Sequence, residues 1–298
     1  MKKAKRLLVT GSSGMLGSNI IAEIGNQYET FGLDRRSADL DLKDQFVVDI
    51  NDFAKTRDIL SGLDLDCLIH CAAITNVERC EDDYNLAHKT NALATGNLAD
   101  SISASAKFIY ISTDSVFDGK NGNYRESDKP GPLNNYARTK LEAESLLEQG
   151  CKNHIIVRTN IFGWNLVAGE SFAEWVVNSL RQAKPISMFT DVIFSPISVM
   201  SLAHYLGELI VSEFTGKINI VSADSISKYD FGLAVAQLFG FDASLISPMS
   251  IRDYPFKAPR PANTSLDVSK AKSIFGSMPL AMQEIEKFYC RRKAGGAN

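Results

Sequence analysis

Residues 134–144 read NNYARTKLEAE, and two of them, Tyr136 and Lys140, are a phenol and an ammonium four positions apart. On a helix that spacing sets them about 40° apart around the axis and roughly 6 Å along it. Pro132 ahead of the segment, Asn134 at the N-cap position and the glutamates and alanines behind favour a helix there. A cation beside a phenol favours phenolate and so lowers a pKa that is ordinarily ~10. Bringing it close to neutrality takes roughly 4 kcal/mol, at about 1.4 kcal/mol per pH unit. The plain alternative is an incidental contact on a solvent-facing helix. With nine tyrosines in the chain a chance match is unsurprising, and Tyr289 with Lys293 in YCRRK is a second one. That copy lies in a basic tail with no strand after it, so the first copy is the one its surroundings can support.

Those surroundings include ISTDSVFDG, where an apolar run, KFIYIST, ends in Ser112, Thr113 and Asp114. A doubly wound sheet binds its ligands beyond the carboxyl ends of its strands, which directs these hydroxyls into the shared crevice. Thr113, Tyr136 and Lys140 then make an apparatus for reducing a ketone. Thr113 polarises the carbonyl oxygen, Tyr136 donates the proton as hydride arrives, and Lys140 holds the nicotinamide ribose and lowers the phenol pKa.

A hydride donor needs its own site. The first apolar run, KRLLVT, enters TGSSGMLG, placing Gly11, Gly14 and Gly17 at a strand-to-helix turn. A diphosphate binds backbone N–H groups at a helix N-terminus, and side chains would hold it away. Gly11 permits the turn, Gly14 the approach, and Gly17 close packing of the helix, with Ser13, Met15 and Leu16 as further cofactor contacts. The spacing is G-x-x-G-x-x-G rather than G-x-G-x-x-G, so its weight comes from the strand before it and the helix after it. Asp34, closing ETFGLD, can accept from the adenosine ribose hydroxyls and favours NAD(H). Arg35 and Arg36 come next, and a guanidinium can pair with a 2′-phosphate, which keeps NADP(H) open. Asp49 and Ile50 are placed to meet the adenine edge. Ala72 and Ala73, small residues at a strand end, let the cofactor pass close to the backbone.

The elements that must position these groups alternate along the chain. Strand-like ETFGLD, QFVVD, DCLIHCA, KFIYIST and HIIVRT are apolar on both faces, with helical stretches between them, one spanning roughly 83–104. That pattern predicts an α/β fold, a Rossmann-type doubly wound parallel sheet over residues 1–160. After residue 160 the register is less even. SFAEWVVNSL, SVMSLAHYLGELIVSEF and KYDFGLAVAQLF read as helices and GKINIVS as a strand. Residues 161–298 are expected to form a smaller C-terminal substrate domain, partly interleaved with the sheet.

Composition restricts the class. The 298 residues are 45% apolar and 22% charged, with a net charge of −3, which gives no electrostatic reason to expect nucleic acid or an anionic membrane as partner. The MKKAKR start is basic, but the apolar LLV after it is too short for a signal peptide, and nothing approaches a membrane span. Five cysteines without paired spacing point to a reduced, cytoplasmic chain rather than a disulfide framework. Cys67, His70 and Cys71 lie on one strand-like run, where alternating side chains cannot converge on one ion, so no metal is expected.

Taken in order, TGSSGMLG, HCAAITNVERCE, TNALATGNLA, ISTDSVFDG and NNYARTKLEAE make the chain resemble the extended short-chain dehydrogenases/reductases. Within them it is most similar to the dTDP-4-dehydrorhamnose reductase family. VRTNIFG, FSPISVMSLAHYL, GKINIVSADSISKYDFG and RPANTSLDVSK carry the likeness through the second half. The resemblance implies NAD(P)H-dependent reduction of a 4-keto-6-deoxy nucleotide sugar at C4. It puts Thr113, Tyr136 and Lys140 in the catalytic places and Asp114 against the substrate, and Arg260 in APRPANT could meet a substrate phosphate. Ser115 stands where those reductases often carry tyrosine, which leaves the sugar open. Related dehydratases carry an acid there, and a serine cannot protonate a leaving hydroxyl. Two further readings stay open: an epimerase that retains NAD, and a regulatory subunit like that of methionine adenosyltransferase, which resembles the same family. A homodimer is an alternative to a single chain.

Overall fold

Leu7, Leu8 and Val9 are all fully buried, as a strand covered on both faces requires. They belong to the first of the seven strands of the central sheet in the computed structural model, which describes residues 5–167 and 169–294, and no side chain beyond residue 292. The basic start at residues 1–4, the tail end at 295–298 and the Lys293 side chain lie outside the described residues. The strands are β1 (Arg6–Thr10), β2 (Glu29–Asp34), β3 (Asp44–Val47), β4 (Cys67–His70), β5 (Lys107–Ile111), β6 (His154–Arg158) and β7 (Gly216–Asn219). All pair in parallel, in the order β7-β6-β5-β4-β1-β2-β3. The order runs outward both ways from β1 and β4, and the crevice between their carboxyl ends is the switch point where such sheets bind ligands.

Alternating side chains of each strand feed two cores. Leu7, Val9, Ile109 and Ile155 pack under the helices Met15–Ile24 and Val199–Val211. Leu8, Leu68, Phe108 and Ile156 pack under Phe53–Ser61, Ala94–Asp100 and Asn135–Gly150. Helices thus cover both faces, the doubly wound α/β architecture. The chain after residue 160 does two things. Gly216–Asn219 adds β7 to the sheet edge beside β6, and Val199–Val211 lies against the first helix. A third core, with Phe162, Val176, Phe194, Phe231 and Phe288, gathers the helices Phe172–Arg181, Lys228–Phe239 and Ala281–Ala294 with strands of short two-stranded ladders.

The stretch expected as one helix over 83–104 runs instead from Tyr84 to Asp100, with a wide π turn at Lys89–Leu93. Its buried Asn91 shows why the turn is kept. The side-chain carbonyl accepts from Ile74 N (2.8 Å), and the amide donates to Ile74 O and to Thr139 Oγ1 (both 3.1 Å). One residue therefore ties the loop after β4 to the helix carrying Tyr136. Tyr289, of the second Tyr-x-x-x-Lys, packs its ring edge-on against Phe239. All five cysteines are free. Among the described residues no helix is long and apolar enough to cross a membrane.

The helix Asn135–Gly150 is not the solvent-facing helix its composition suggests. It buries Ala137, Thr139, Lys140, Ala143, Glu144 and Leu147. Glu144 is fully buried and accepts from Arg158 Nε (3.0 Å), Arg158 Nη2 (2.7 Å) and Ser112 Oγ (2.6 Å). Arg158, also fully buried, stacks over the Phe117 ring, 4.9 Å from its centroid. Removing one partner of such a pair strands a charge without water. Arg158→Met is therefore expected to lower unfolding free energy by about 3–5 kcal/mol in a denaturant titration, whereas Glu144→Leu/Arg158→Met together recovers most of that loss. A double variant no more stable than the single one would show that the charges themselves are needed.

Candidate active site

One cavity of about 960 Å³ opens along the carboxyl ends of β1–β6. Its lining includes Gly11, Ser13, Gly14, Met15, Leu16, Gly17, Asp34, Arg35, Asp49, Ile50, Ala72, Ala73, Thr113, Asp114, Tyr136 and Lys140. Every residue expected at the site is thus at this cavity except Arg260. Arg260 turns away: its Nη2 donates to Glu78 Oε1 at 2.9 Å and its guanidinium lies over Phe256. Its charge is therefore met by a neighbouring carboxylate, as for an ordinary surface arginine.

The glycine turn suits a diphosphate. Gly11 has φ +66°, and a Cβ there would come within 2.8 Å of Ala72 N, so the turn sits directly against the end of β4. A Cβ on Gly17 would strike Gly11 O at 2.2 Å, so the helix can begin this close to the turn only without a side chain. Gly14 caps the helix and offers its first N–H groups no side-chain acceptor, whereas Asn134 caps the Tyr136 helix through Ala137 N. Uncapped N–H groups at a helix start facing a cavity fit an anionic ligand. Asp34 accepts from Ser13 N (2.9 Å) and Ser13 Oγ (2.8 Å), which ties the second strand end to the turn. Arg35 and Arg36 stand exposed beside it.

At the other side of the switch point, Thr113 and Tyr136 meet. Burial pushes the Tyr136 phenol up to about 12, while a hydrogen bond with Thr113 works the other way. Lys140 does not depress the phenol as the four-residue spacing suggests. Its Nζ donates to Ile111 O at 2.7 Å and lies 4.1 Å from the Tyr110 ring centroid, so the ammonium is directed down onto β5. Burial lowers the Lys140 pKa to about 7, against the favourable charge of Glu144. The phenol at neutral pH is consequently protonated, and the amine sits near its midpoint.

Below this pair His70 is fully enclosed. Its Nδ1 lies 2.6 Å from Thr10 Oγ1 and its Nε2 3.0 Å from Thr95 Oγ1. Burial lowers its pKa to about 3, so the ring is neutral and serves as a rigid spacer between β4 and its neighbours. Asp114 is likewise structural in its contacts. Its oxygens accept from Thr113 and Ser115 (3.1 and 3.2 Å), Asn160 Nδ2 (2.7 Å) and Thr264 Oγ1. It lines the cavity, yet its acceptor positions are filled by the protein.

The motifs did not point to Arg79, Thr90, Asn160, Ile161, Phe172 or Lys228, which also line the cavity. Asn160 and Ile161 could have been found by extending the strand-end argument from β5 to β6. Lys228 carries no sequence signal, since its place depends on a helix that returns from the third core.

The family model described as the RmlD substrate binding domain matches residues 5–290. The chain is 31% identical over 300 residues to a dTDP-4-dehydrorhamnose reductase of Aggregatibacter actinomycetemcomitans, covering 95% of this chain and 97% of that one. It is 30% identical over 291 residues to methionine adenosyltransferase 2 subunit beta of Pongo abelii, covering 91% and 82%. The fold superposes on the crystal structure of a Bacillus anthracis dTDP-4-dehydrorhamnose reductase in complex with NADP. The TM-score is 0.88 at 25% identity, over 97% of this chain and 100% of that one.

The Lys140 shift has a consequence for stability. Below pH 7 the lysine is charged both folded and unfolded, and its dehydration opposes folding in full. Between about 7 and its ordinary 10.5 the unfolded chain binds the extra proton, so stability rises with pH. The unfolding free energy of wild type minus that of Lys140→Met should climb across this window and level off above it. A difference that stays constant from pH 6 to 10 would contradict the assignment.

Proposed function

The chain belongs to the RmlD substrate binding domain family, the dTDP-4-dehydrorhamnose reductase-like branch of the extended short-chain dehydrogenases/reductases, and on that premise we propose that it reduces a 4-keto-6-deoxy nucleotide sugar with NAD(P)H. The observation that carries this reading is that Thr113, Tyr136 and Lys140 line the same cavity as the uncapped glycine turn. The nicotinamide cofactor, when bound, supplies the hydride. The residues Gly11–Gly17, Asp34, Arg35, Asp49, Ile50, Ala72 and Ala73 would hold it along the rim of β1–β4.

Thr113 positions the keto oxygen at C4 and polarises it when its hydroxyl turns from Asp114 Oδ1 to that oxygen. Tyr136 delivers the proton to that oxygen, and its raised pKa keeps the proton in place until charge develops there. A donor that must also release its proton needs help, because general acids work best with pKa values near the working pH. Lys140 would supply the help by turning its ammonium from Ile111 O towards the cofactor ribose and the phenol, where its charge favours the phenolate. Ser115 offers no acid to expel a sugar hydroxyl, which favours reduction over dehydration.

A partner-dependent regulatory role has one observation behind it, the similarity to methionine adenosyltransferase 2 subunit beta. The complete Thr113, Tyr136 and Lys140 set favours catalysis. Nucleotide-linked 4-keto-6-deoxy sugars, generated in situ by a dehydratase and assayed with NADH and NADPH, decide between them. Oxidation of one cofactor equivalent per sugar is expected. Tightly bound NAD with no net oxidation would indicate an epimerase. Tyr136→Phe should bind the cofactor as wild type does and lose ~10²- to 10⁴-fold in turnover. Turnover at the wild-type rate would remove Tyr136 from the proton-donor role.

A further inference from the structure

Lys228 opens the helix Lys228–Phe239 behind its N-cap Ser227, and its side chain reaches the cavity from the third core. The ammonium is held against two aromatic faces, 3.3 Å from the Phe194 centroid and 4.3 Å from that of Phe172. Among the described residues no carboxylate lies within ion-pair distance of it and no acceptor takes its hydrogens. Asp114 is the carboxylate whose charge it feels, and that carboxylate already accepts from Thr113, Ser115, Asn160 and Thr264. Burial lowers the lysine to about 8, so at neutral pH it is a largely protonated cation with unused donors. Leaving such a charge half-buried is costly unless a ligand brings the opposite one.

The sheet order says which ligand. Asp34, Gly11, Ala72, Ser112 and Thr159 follow the ends of β2, β1, β4, β5 and β6 in that spatial order. Strands lie about 4.8 Å apart, so Asp34 to Ser112 is a rim of about 14 Å, long enough for an extended dinucleotide. Its diphosphate belongs at the glycine turn near the middle. Lys228 lines the cavity beside Asp114 and Phe172, past the ends of β5 and β6 and away from Asp34, on the side left to the substrate. Of a nucleotide sugar, the sugar ring and the base are neutral, and the diphosphate between them carries the negative charge. We propose that Lys228 binds the diphosphate of the nucleotide-linked substrate, the role that Arg260, paired to Glu78, does not fill. The proposal rests on the reductase reading for its substrate class, though the binding it describes can be measured without turnover.

Calorimetric titrations of the full chain with dTDP, UDP, GDP and thymidine test it directly. Wild type is expected to bind at least one nucleoside diphosphate. Lys228→Met and Lys228→Gln should weaken that binding ~10- to 100-fold, the usual reach of charge-assisted hydrogen bonds, and Lys228→Arg should retain most of it. Thymidine affinity and NADPH binding should not change in any variant, the latter reporting that each is folded. The proposal is overturned if wild type binds none of the diphosphates, if the neutral variants bind them as tightly, or if thymidine binding falls in parallel. Should no keto-sugar be reduced while diphosphate binding still depends on Lys228, the reductase reading fails and this one stands.

Discussion

A buried ion pair holds the reactive helix in place. Glu144 sits four residues beyond Lys140 on the inner face of the Asn135–Gly150 helix, and its carboxylate is gripped by Arg158 at the end of β6 and by Ser112 at the end of β5. Because all three groups are dehydrated, the arrangement tolerates little slack: any rotation of the helix would strand charge in an apolar core. The consequence runs one turn at a time up the helix. Fixing Glu144 fixes Lys140 over β5, and fixing Lys140 fixes Tyr136 against Thr113. Asn91 makes the second attachment, through Thr139 and the loop after β4. The reactive side chains are therefore placed by hydrogen bonds to two adjacent strand ends rather than by the helix's own propensity.

The same dehydration sets the electrostatic state of the site. Burial moves the phenol and the amine in opposite directions, each towards its neutral form, so the pair stores no ion contact of its own. His70 is held neutral for the same reason. Nothing in this layer is poised by mutual attraction; the charge that organises it is Glu144 below, and the charge that completes it must arrive from the ligands above. That is a sound design for a group required to keep a proton until a carbonyl oxygen is in reach.

Much of this was legible in the sequence because it is local. Apolar runs on both faces identify parallel strands, a glycine turn between strand and helix identifies the switch point, and hydroxyls at the end of KFIYIST share its rim. Asn134 as N-cap follows from the helix-forming run behind it, and Thr113 at the cavity from its place at a strand end. What escaped is what depends on closure at long range. The backbone carbonyl of Ile111 takes the Lys140 ammonium, a partner that a four-residue spacing does not announce. Asp114, apparently free for substrate, is satisfied by Asn160 and by Thr264, residues distant in the chain. Arg260 finds Glu78 across an even longer separation. Lys228 replaces it in the cavity through packing between aromatic rings, for which no short motif exists.

The strand Gly216–Asn219 joins the sheet from the second half of the chain, on the open side of β6. During synthesis on the ribosome, the six-stranded precursor therefore emerges with a bare row of backbone donors and acceptors along a strand whose centre, Ile155–Val157, is apolar. Such an edge invites pairing with other nascent chains until its own partner has been translated. A late-made strand is thus a cap on the early-made sheet. The backbone pairing of that strand to β6 joins the two halves of the chain in one sheet.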